Sequence, residues 1–524
     1  MTMMHHLVNG SFFFTLMVCV LSAASGRRGN DKDAYKRIRS DLSNVGECIP
    51  RSFSPAQRAE TQTLFFKNLA LSAHAFSGGK MQTIPKVPSD VLAWYNVWYT
   101  PGVSSVSTTV RDKPEESFRL SNRSNLVAVV SDSTRVLGDG DVGAAGGLGV
   151  MEGKAMLMKQ LGGVDAVALC IDSRDKKGKH DPAVLIDFVK RVQHSFGAIN
   201  LEDISQPNCY RVLDELRDSC DIPVWHDDQQ GTACVTLAAL MNSLRLAGKN
   251  LSTARFVFFG AGSANTTSLR LLLTAGADPR KCVMFDSKGA LHKGRKDIEK
   301  DTRFRRKWEI CQKTNPNGAI SVLKACTGAD ALIALSRPGP GVVKPEWIRA
   351  MAAKPIVFAC ANPVPEIYPH DARKAGAFVV ATGRGDYPNQ VNNSVCFPGL
   401  LKGALLAHSR AITDGMAIAA AKSLAGFAWK RGVTPESIIP RMDESALYPT
   451  EAADVAMAAA REGVAREPNL TWQGVYDRAA SDISAAARAS DALRKCGIIK
   501  DIPRRLAVEA LRAAIEQTAS RQHK

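Results

Sequence analysis

The twelve cysteines of this 524-residue chain include no C-x-x-C pair and no Cys/His spacing of the zinc type, which argues against a structural zinc site. In a chain this long the scatter is that of reduced, mostly buried thiols and not of a disulfide framework. Beyond the block Ser11 to Gly26, no segment is both charge-free and of transmembrane length, so no stable membrane insertion of the mature chain is expected. Aromatics are few and acids are interspersed in the most basic stretch, "KGRKDIEKDTRFRRKWEICQK" (Lys293 to Lys313). Without a stacking platform or a known binding module it reads as a solvated face or exposed insertion, and no nucleic-acid partner is expected despite the net charge of +17.

What is present is a chain 45% hydrophobic and 23% charged, the make-up of a globular protein with room for two or three domains. The N-terminal "SFFFTLMVCVLSAASG" has signal-peptide length and is followed by Arg27, Arg28, Arg37 and Arg39. Reduced thiols argue against export, and the arginines favour a mitochondrial address over a cytoplasmic one, although Asp31 and Asp33 weaken that reading.

The middle of the chain alternates short apolar runs with longer helical stretches. "NLVAVVSD" (Asn125 to Asp132) and "VDAVALCID" (Val164 to Asp172) are continuous aliphatic runs between polar ends, as in buried parallel strands. "FVFFGAGSAN" then gives a strand, a tight Gly260–Gly262 turn and a helix from Ser263. The next strand, Cys282 to Phe285, ends in Asp286. This order is the dinucleotide-binding fingerprint, in which Gly260, Gly262, Ser263 and Ala264 face a pyrophosphate and Asp286 a ribose. Asn265 stands where a third glycine is usual. Strands at "ADALIALS", "PIVFACANP" and "AFVVATG" continue a doubly wound sheet. Ligands lie beyond the carboxyl ends of such strands, where Asn362, Asp386, Asn392 and Asn393 fall.

Two acidic pairs stand at strand-to-helix junctions: Glu202–Asp203 in "INLEDI" and Asp227–Asp228 in "HDDQQGTA". One aspartate is explained by helix capping, but two pairs exceed that need. Three carboxylates with waters and a substrate suit octahedral Mg²⁺ or Mn²⁺. Upstream, Tyr99 leads a Thr-Pro-Gly turn and Lys154 lies near the start of a helix with Met and Leu on its other face.

Taken in order, "YTPGV", "NLVAVVSDSTRVLGDGDVG", "MEGKA", "INLEDI", "HDDQQGTA", "GAGSAN", "ANPVPEI" and "GRGDYPNQVNNSVCFPG" resemble the malic enzyme family, closest to its shorter bacterial-type branch. The resemblance implies an α/β fold: an N-terminal malic-type domain (41–240), a Rossmann-like doubly wound parallel sheet (241–425) and a helical C-terminal region (426–524) after a targeting or disordered segment (1–40). It implies oxidative decarboxylation of L-malate to pyruvate and CO₂, with Lys154 as general base, Asp227 as its partner and Tyr99 as the proton donor to C3. Glu202, Asp203 and Asp228 would hold Mn²⁺ or Mg²⁺. Arg135, Asn362 and Asn393 would bind malate, and Asn362 would also border the cofactor. Family members are usually dimers or tetramers, so a homodimer or homotetramer is expected. NADP or NAD stays open: Asp286 favours a ribose diol, whereas Ser287, Lys288, Lys293 and Arg295 suit a 2′-phosphate. An amino-acid dehydrogenase would share the nucleotide domain and a lysine base but needs no metal-binding acids. A silent homologue would have no reason to keep Tyr99, Lys154 and the three acids.

Overall fold

A computed structural model describes residues 34–136 and 138–521; the apolar block Ser11 to Gly26 lies outside them. The chain divides into two compact units, 81–491 and a second that joins residues up to Lys80 with those from Ala492 on.

The smaller unit is built on the helix Pro55–Ser77, which opens on a capping box. Ser54 Oγ accepts from the Gln57 backbone at 3.3 Å and Gln57 Oε1 from the Ser54 backbone at 2.8 Å, satisfying two N–H groups that the first turn leaves open. Its Phe65 and Leu69 pack against Leu511 and Ala514 of the helix Arg504–Ser520. Thr61 and Thr518 join hydroxyls across that contact at 2.9 Å.

The larger unit holds two sheets. In the first, β1 (Leu126–Ser131), β2 (Asp165–Cys170), β3 (Ala198–Leu201) and β4 (Val224–His226) lie in the order β2-β1-β3-β4, all parallel. The run Val127 to Val130 is fully buried, as an aliphatic strand with no polar face must be. The second sheet comprises β5 (Phe256–Phe259), β6 (Cys282–Asp286), β7 (Gly289–Ala290), β8 (Ala331–Ala334), β9 (Ile356–Ala359) and β10 (Val379–Thr382), in the order β10-β9-β8-β5-β6-β7. It is parallel except for β7, a two-residue antiparallel edge strand. Chain order reverses between β5 and β8, the switch point where doubly wound sheets bind ligands.

One apolar core joins Val127 and Val129 of β1, the helix Thr232–Ala247, and Phe256 and Phe258 of β5. That shared core fixes the carboxyl ends of both sheets relative to each other, and these ends carry the polar residues singled out above. Among the described residues, no helix is long and apolar enough to cross a membrane. The basic stretch folds into short helices whose acids pair with its bases, as in Lys296–Glu299 at 2.7 Å and Arg305–Glu309 at 3.1 Å.

Candidate active site

Lys154 lies on the helix Gly143–Gly162, three residues after Met151 and four before Met158. Both methionines are fully buried, and residues at these spacings share a helix face, so Lys154 is carried inward. Its Nζ donates to Asp227 Oδ2 at 2.5 Å and to Asn393 Oδ1 at 3.3 Å, and lies 3.2 Å from Glu202 Oε1. The Phe397 ring is 4.7 Å away.

Asp227 and Asp228 open a π-helical turn, Asp227–Gly231, between β4 and the helix Thr232–Ala247. Such turns recur at functional sites because the extra residue re-aims neighbouring side chains. Here they are aimed apart: Asp227 is fully buried and Asp228 partly exposed. Trp225 Nε1 donates to the second oxygen of Asp227 at 3.3 Å. Gly231 closes the turn where a Cβ would overlap that oxygen, so only glycine fits there.

Glu202 and Asp203 follow β3. Asn200 Nδ2 donates to Glu202 Oε2 at 2.9 Å; the two are neighbours on one face because strand side chains alternate. Asp203 adopts a positive φ of 53°, a conformation aspartate tolerates better than most residues. Its backbone N–H donates to Asp228 Oδ2 at 2.7 Å. Oxygens of Glu202, Asp203 and Asp228 all lie within 4.8 Å of one another.

Lys154 thus pairs with Asp227 and Glu202 and lies within electrostatic reach of Asp228, while Asp203 joins the group through Glu202 and Asp228. Burial opposes a charged Lys154, yet Asp227, Glu202 and Asp228 outweigh it and hold its pKa well above the ordinary lysine value. Burial pushes the carboxyls of Glu202 and Asp227 up, against the pull of Lys154. Four carboxyls share a single ammonium in a mostly buried cluster, an arrangement that a further cation would balance. The oxygen-only donor set fits Mg²⁺ or Mn²⁺.

The nucleotide side is equally specific. Gly260 has a φ of +101°, and a Cβ there would overlap the Leu335 carbonyl. Gly262 precedes the helix Ser263–Thr274 and faces open space, room for a pyrophosphate at the N–H groups of Ser263 and Ala264. Asn265, the departure from the glycine pattern, is fully buried and donates to the Gly260 carbonyl at 2.9 Å, so its amide braces the turn. Asp286 ends β6, where Arg295 grips it; Lys288 is exposed and pairs with Asp297 at 3.2 Å.

Arg135 is exposed, and its backbone N–H donates to the Asp203 carbonyl at 2.9 Å. Asn362, also exposed, leaves β9 against Gly138 and Gly383. Tyr99 is the exception. It ends the helix Leu92–Trp98, its side chain 72% exposed, and it is not among the partners of Lys154 within the chain. Asn200, Trp225, Gly231 and Phe397 escaped the sequence reading. Only Asn200 left a usable signal, two residues before Glu202 on the same strand.

Residues 80–217 match the family model described as "Malic enzyme, N-terminal domain", and residues 229–462 match "Malic enzyme, NAD binding domain". The chain is 42% identical over 401 residues to the NAD-dependent malic enzyme of Geobacillus stearothermophilus, covering 76% of this chain and 80% of that one. It is 38% identical over 387 residues to the NADP-dependent malic enzyme of Halomonas elongata, covering 71% and 87%. The crystal structure of Entamoeba histolytica malic enzyme superposes with a TM-score of 0.90 at 61% identity, over 92% of this chain and 99% of that one. That of the Pyrococcus horikoshii enzyme gives 0.77 at 41% identity, over 82% and 98%.

Proposed function

This chain belongs to the malic enzyme family, and from that premise we propose how its residues carry out the reaction. The chain is an NAD- or NADP-dependent malic enzyme that oxidises and decarboxylates L-malate to pyruvate and CO₂. The observation that carries the residue assignments is the Lys154–Asp227 contact beside the Glu202, Asp203 and Asp228 triad. These three acids would hold Mg²⁺ or Mn²⁺. When bound, the cation supplies Lewis-acid polarisation of the C2 oxygen, and the nicotinamide ring supplies the hydride acceptor.

Lys154 takes the proton of the C2 hydroxyl. To do so it must give up the proton that Asp227, Glu202 and Asp228 hold on it; a cation on Glu202 and Asp228 would withdraw their pull and leave Asp227 as the acceptor. Buried completely, with its carboxyl pushed above the usual range, Asp227 Oδ2 can hold a proton received along the 2.5 Å contact. Asn393 Oδ1 accepts from Lys154, which leaves its amide NH₂ to donate to a substrate carboxylate. Arg135 and Asn362 would grip the rest of the dicarboxylate, Arg135 in the bidentate manner that suits a carboxylate.

Tyr99 protonates C3 of the enolate that remains after CO₂ leaves. Within one chain it stands on an exposed arm with Leu92, Trp94, Val97 and Trp98, all exposed. Val142 and Leu148, beside the start of the Lys154 helix and within it, are exposed as well. A second copy covers such apolar surface, and a symmetric dimer would bring each Tyr99 to the partner's Lys154.

Mixing inactive Tyr99→Phe and Lys154→Ala proteins tests this assembly. Random re-association should restore about a quarter of wild-type activity, because half the dimers then hold one intact site. No recovery after verified subunit exchange would place Tyr99 and Lys154 in the same chain.

A further inference from the structure

We propose that His180 is a positioning residue that clamps the loop carrying Arg135 and thereby sets the affinity for malate; this rests on reading Arg135 as a ligand of a substrate carboxylate. The loop, residues 132–142, runs from the end of β1 to the helix Gly143–Gly162. Its own backbone bonds are few: the Val136 N–H donates to the Gly140 carbonyl at 2.9 Å and the Val142 N–H to the Ser133 carbonyl at 3.2 Å. They shape the loop but do not fix its base. The exposed Arg135 side chain goes where the loop goes.

Both ends of the loop meet one segment, the connection between β2 and the helix Pro182–Val192. At the first end Asp132, 2% exposed, accepts from Ser173 Oγ at 2.9 Å. At the second, Asp141 Oδ2 lies 3.0 Å from His180 Nε2. Ser173 Oγ and His180 Nδ1 are 2.7 Å apart, so Asp132, Ser173, His180 and Asp141 form one unbroken chain across the base of the loop. Donor counting fixes its direction. Ser173 has a single hydroxyl proton and gives it to Asp132, so its oxygen accepts from Nδ1. The Asp141 carboxyl is held below the usual range, chiefly by the bond from His180, so it accepts from Nε2. The chain is complete with a proton on each ring nitrogen, and the link to Asp141 is then charge-assisted.

The segment that supplies the clamp is itself braced. Arg174 and His180 pair across a short hairpin, inside which Asp175 Oδ1 accepts from the Lys177 and Lys179 N–H groups at 2.8 and 2.9 Å. The Asp181 N–H donates to the Ser173 carbonyl at 2.9 Å. Arg174 adds a longer, exposed contact to Asp141 at 3.4 Å, of the kind worth little. On the inner side, Thr134 Oγ1 donates to Asp132 Oδ1 at 2.6 Å and accepts from the Ser205 N–H at 2.8 Å, which aligns the loop with the segment after β3. His180 touches neither Lys154 nor the three acids. Its effect therefore falls on substrate binding and not on the proton and hydride steps.

The test is steady-state kinetics of the full-length protein at saturating Mn²⁺ and nucleotide, with malate varied, for the wild type, His180→Leu, Arg135→Gln and the double variant. His180→Leu should raise the malate KM about tenfold, the scale of one lost charge-assisted bond. Its kcat should stay within about twofold, because a carboxylate grip is shared by ground state and transition state, and its nucleotide KM should not change. A merely structural loss would lower kcat without this split. The double variant should resemble Arg135→Gln alone, since residues that act through one another are not additive. Asp141→Ala breaks the same chain from its exposed side and should reproduce the rise; it decides alone if His180→Leu misfolds. A malate KM unchanged in both His180→Leu and Asp141→Ala, or a rise in the double variant equal to the product of the two single rises, overturns the clamp. A rise in His180→Leu with none in Arg135→Gln would leave the clamp standing and take Arg135 out of the substrate site instead.

Discussion

Replacing Lys154 with alanine is expected to lower kcat for pyruvate formation by about 10³-fold, the usual contribution of a positioned general base. Alanine also leaves Asp227 and Glu202, 0% and 2% exposed, without their counter-ion. Breaking one side of a buried ion pair costs about 3–5 kcal/mol, so the alanine variant should melt earlier too. Lys154→Arg separates the two effects. Arginine keeps the positive charge against the same carboxylates but does not give up its proton at any pH a protein survives. It should restore most of the lost thermal stability and remain inactive. An arginine variant with near wild-type kcat would remove Lys154 from the role of base and leave it only a structural one.

The second large effect concerns the metal. Asp228→Asn keeps an oxygen able to accept from the Asp203 N–H, a bond of 2.7 Å in the native chain, so the turn should fold as before. It removes one of the three negative charges that would hold the cation. The Mn²⁺ concentration for half-saturation is expected to rise about 100-fold, at the upper end of what loss of a supporting group causes. Binding can be followed by the spin resonance of free Mn²⁺, independently of turnover. An unchanged half-saturation would take Asp228 out of the ligand set. Asp227→Asn provides the contrast: it should cost turnover far more than Mn²⁺ affinity, since Asp227 contacts Lys154 and Trp225.

Much of this site was readable from the sequence because its signals are local. The β5 strand, the Gly260–Gly262 turn and the helix from Ser263 to Thr274 form one continuous stretch, in which apolar runs and glycines dictate conformation directly. The acidic pairs stand at the ends of β3 and β4, and strands that are neighbours in the sheet bring neighbouring ends together. What could not be read depends on side-chain reach or on distant partners. Arg295, nine residues on from Asp286 and across the β6–β7 turn, engages both of its oxygens, a pairing that no local pattern announces. Asn265 looked like a missing glycine, yet its amide bonds the turn that a glycine would merely have left open. The contact of Thr61 with Thr518 spans nearly the whole chain, and no periodicity reports such a pairing. Tyr99 followed its motif correctly into a turn, but where that turn meets Lys154 depends on what covers the exposed arm.

The most direct test is to incubate the purified full-length protein with L-malate and Mn²⁺, separately with NAD⁺ and NADP⁺, and to measure pyruvate and reduced nucleotide in the same samples. Lys154 and the Glu202, Asp203 and Asp228 triad acting as one site should give pyruvate equimolar with reduced nucleotide, and neither product after chelation of the metal. Reduced nucleotide without pyruvate would contradict this, making the chain a simple dehydrogenase in which the acidic triad has no part in decarboxylation.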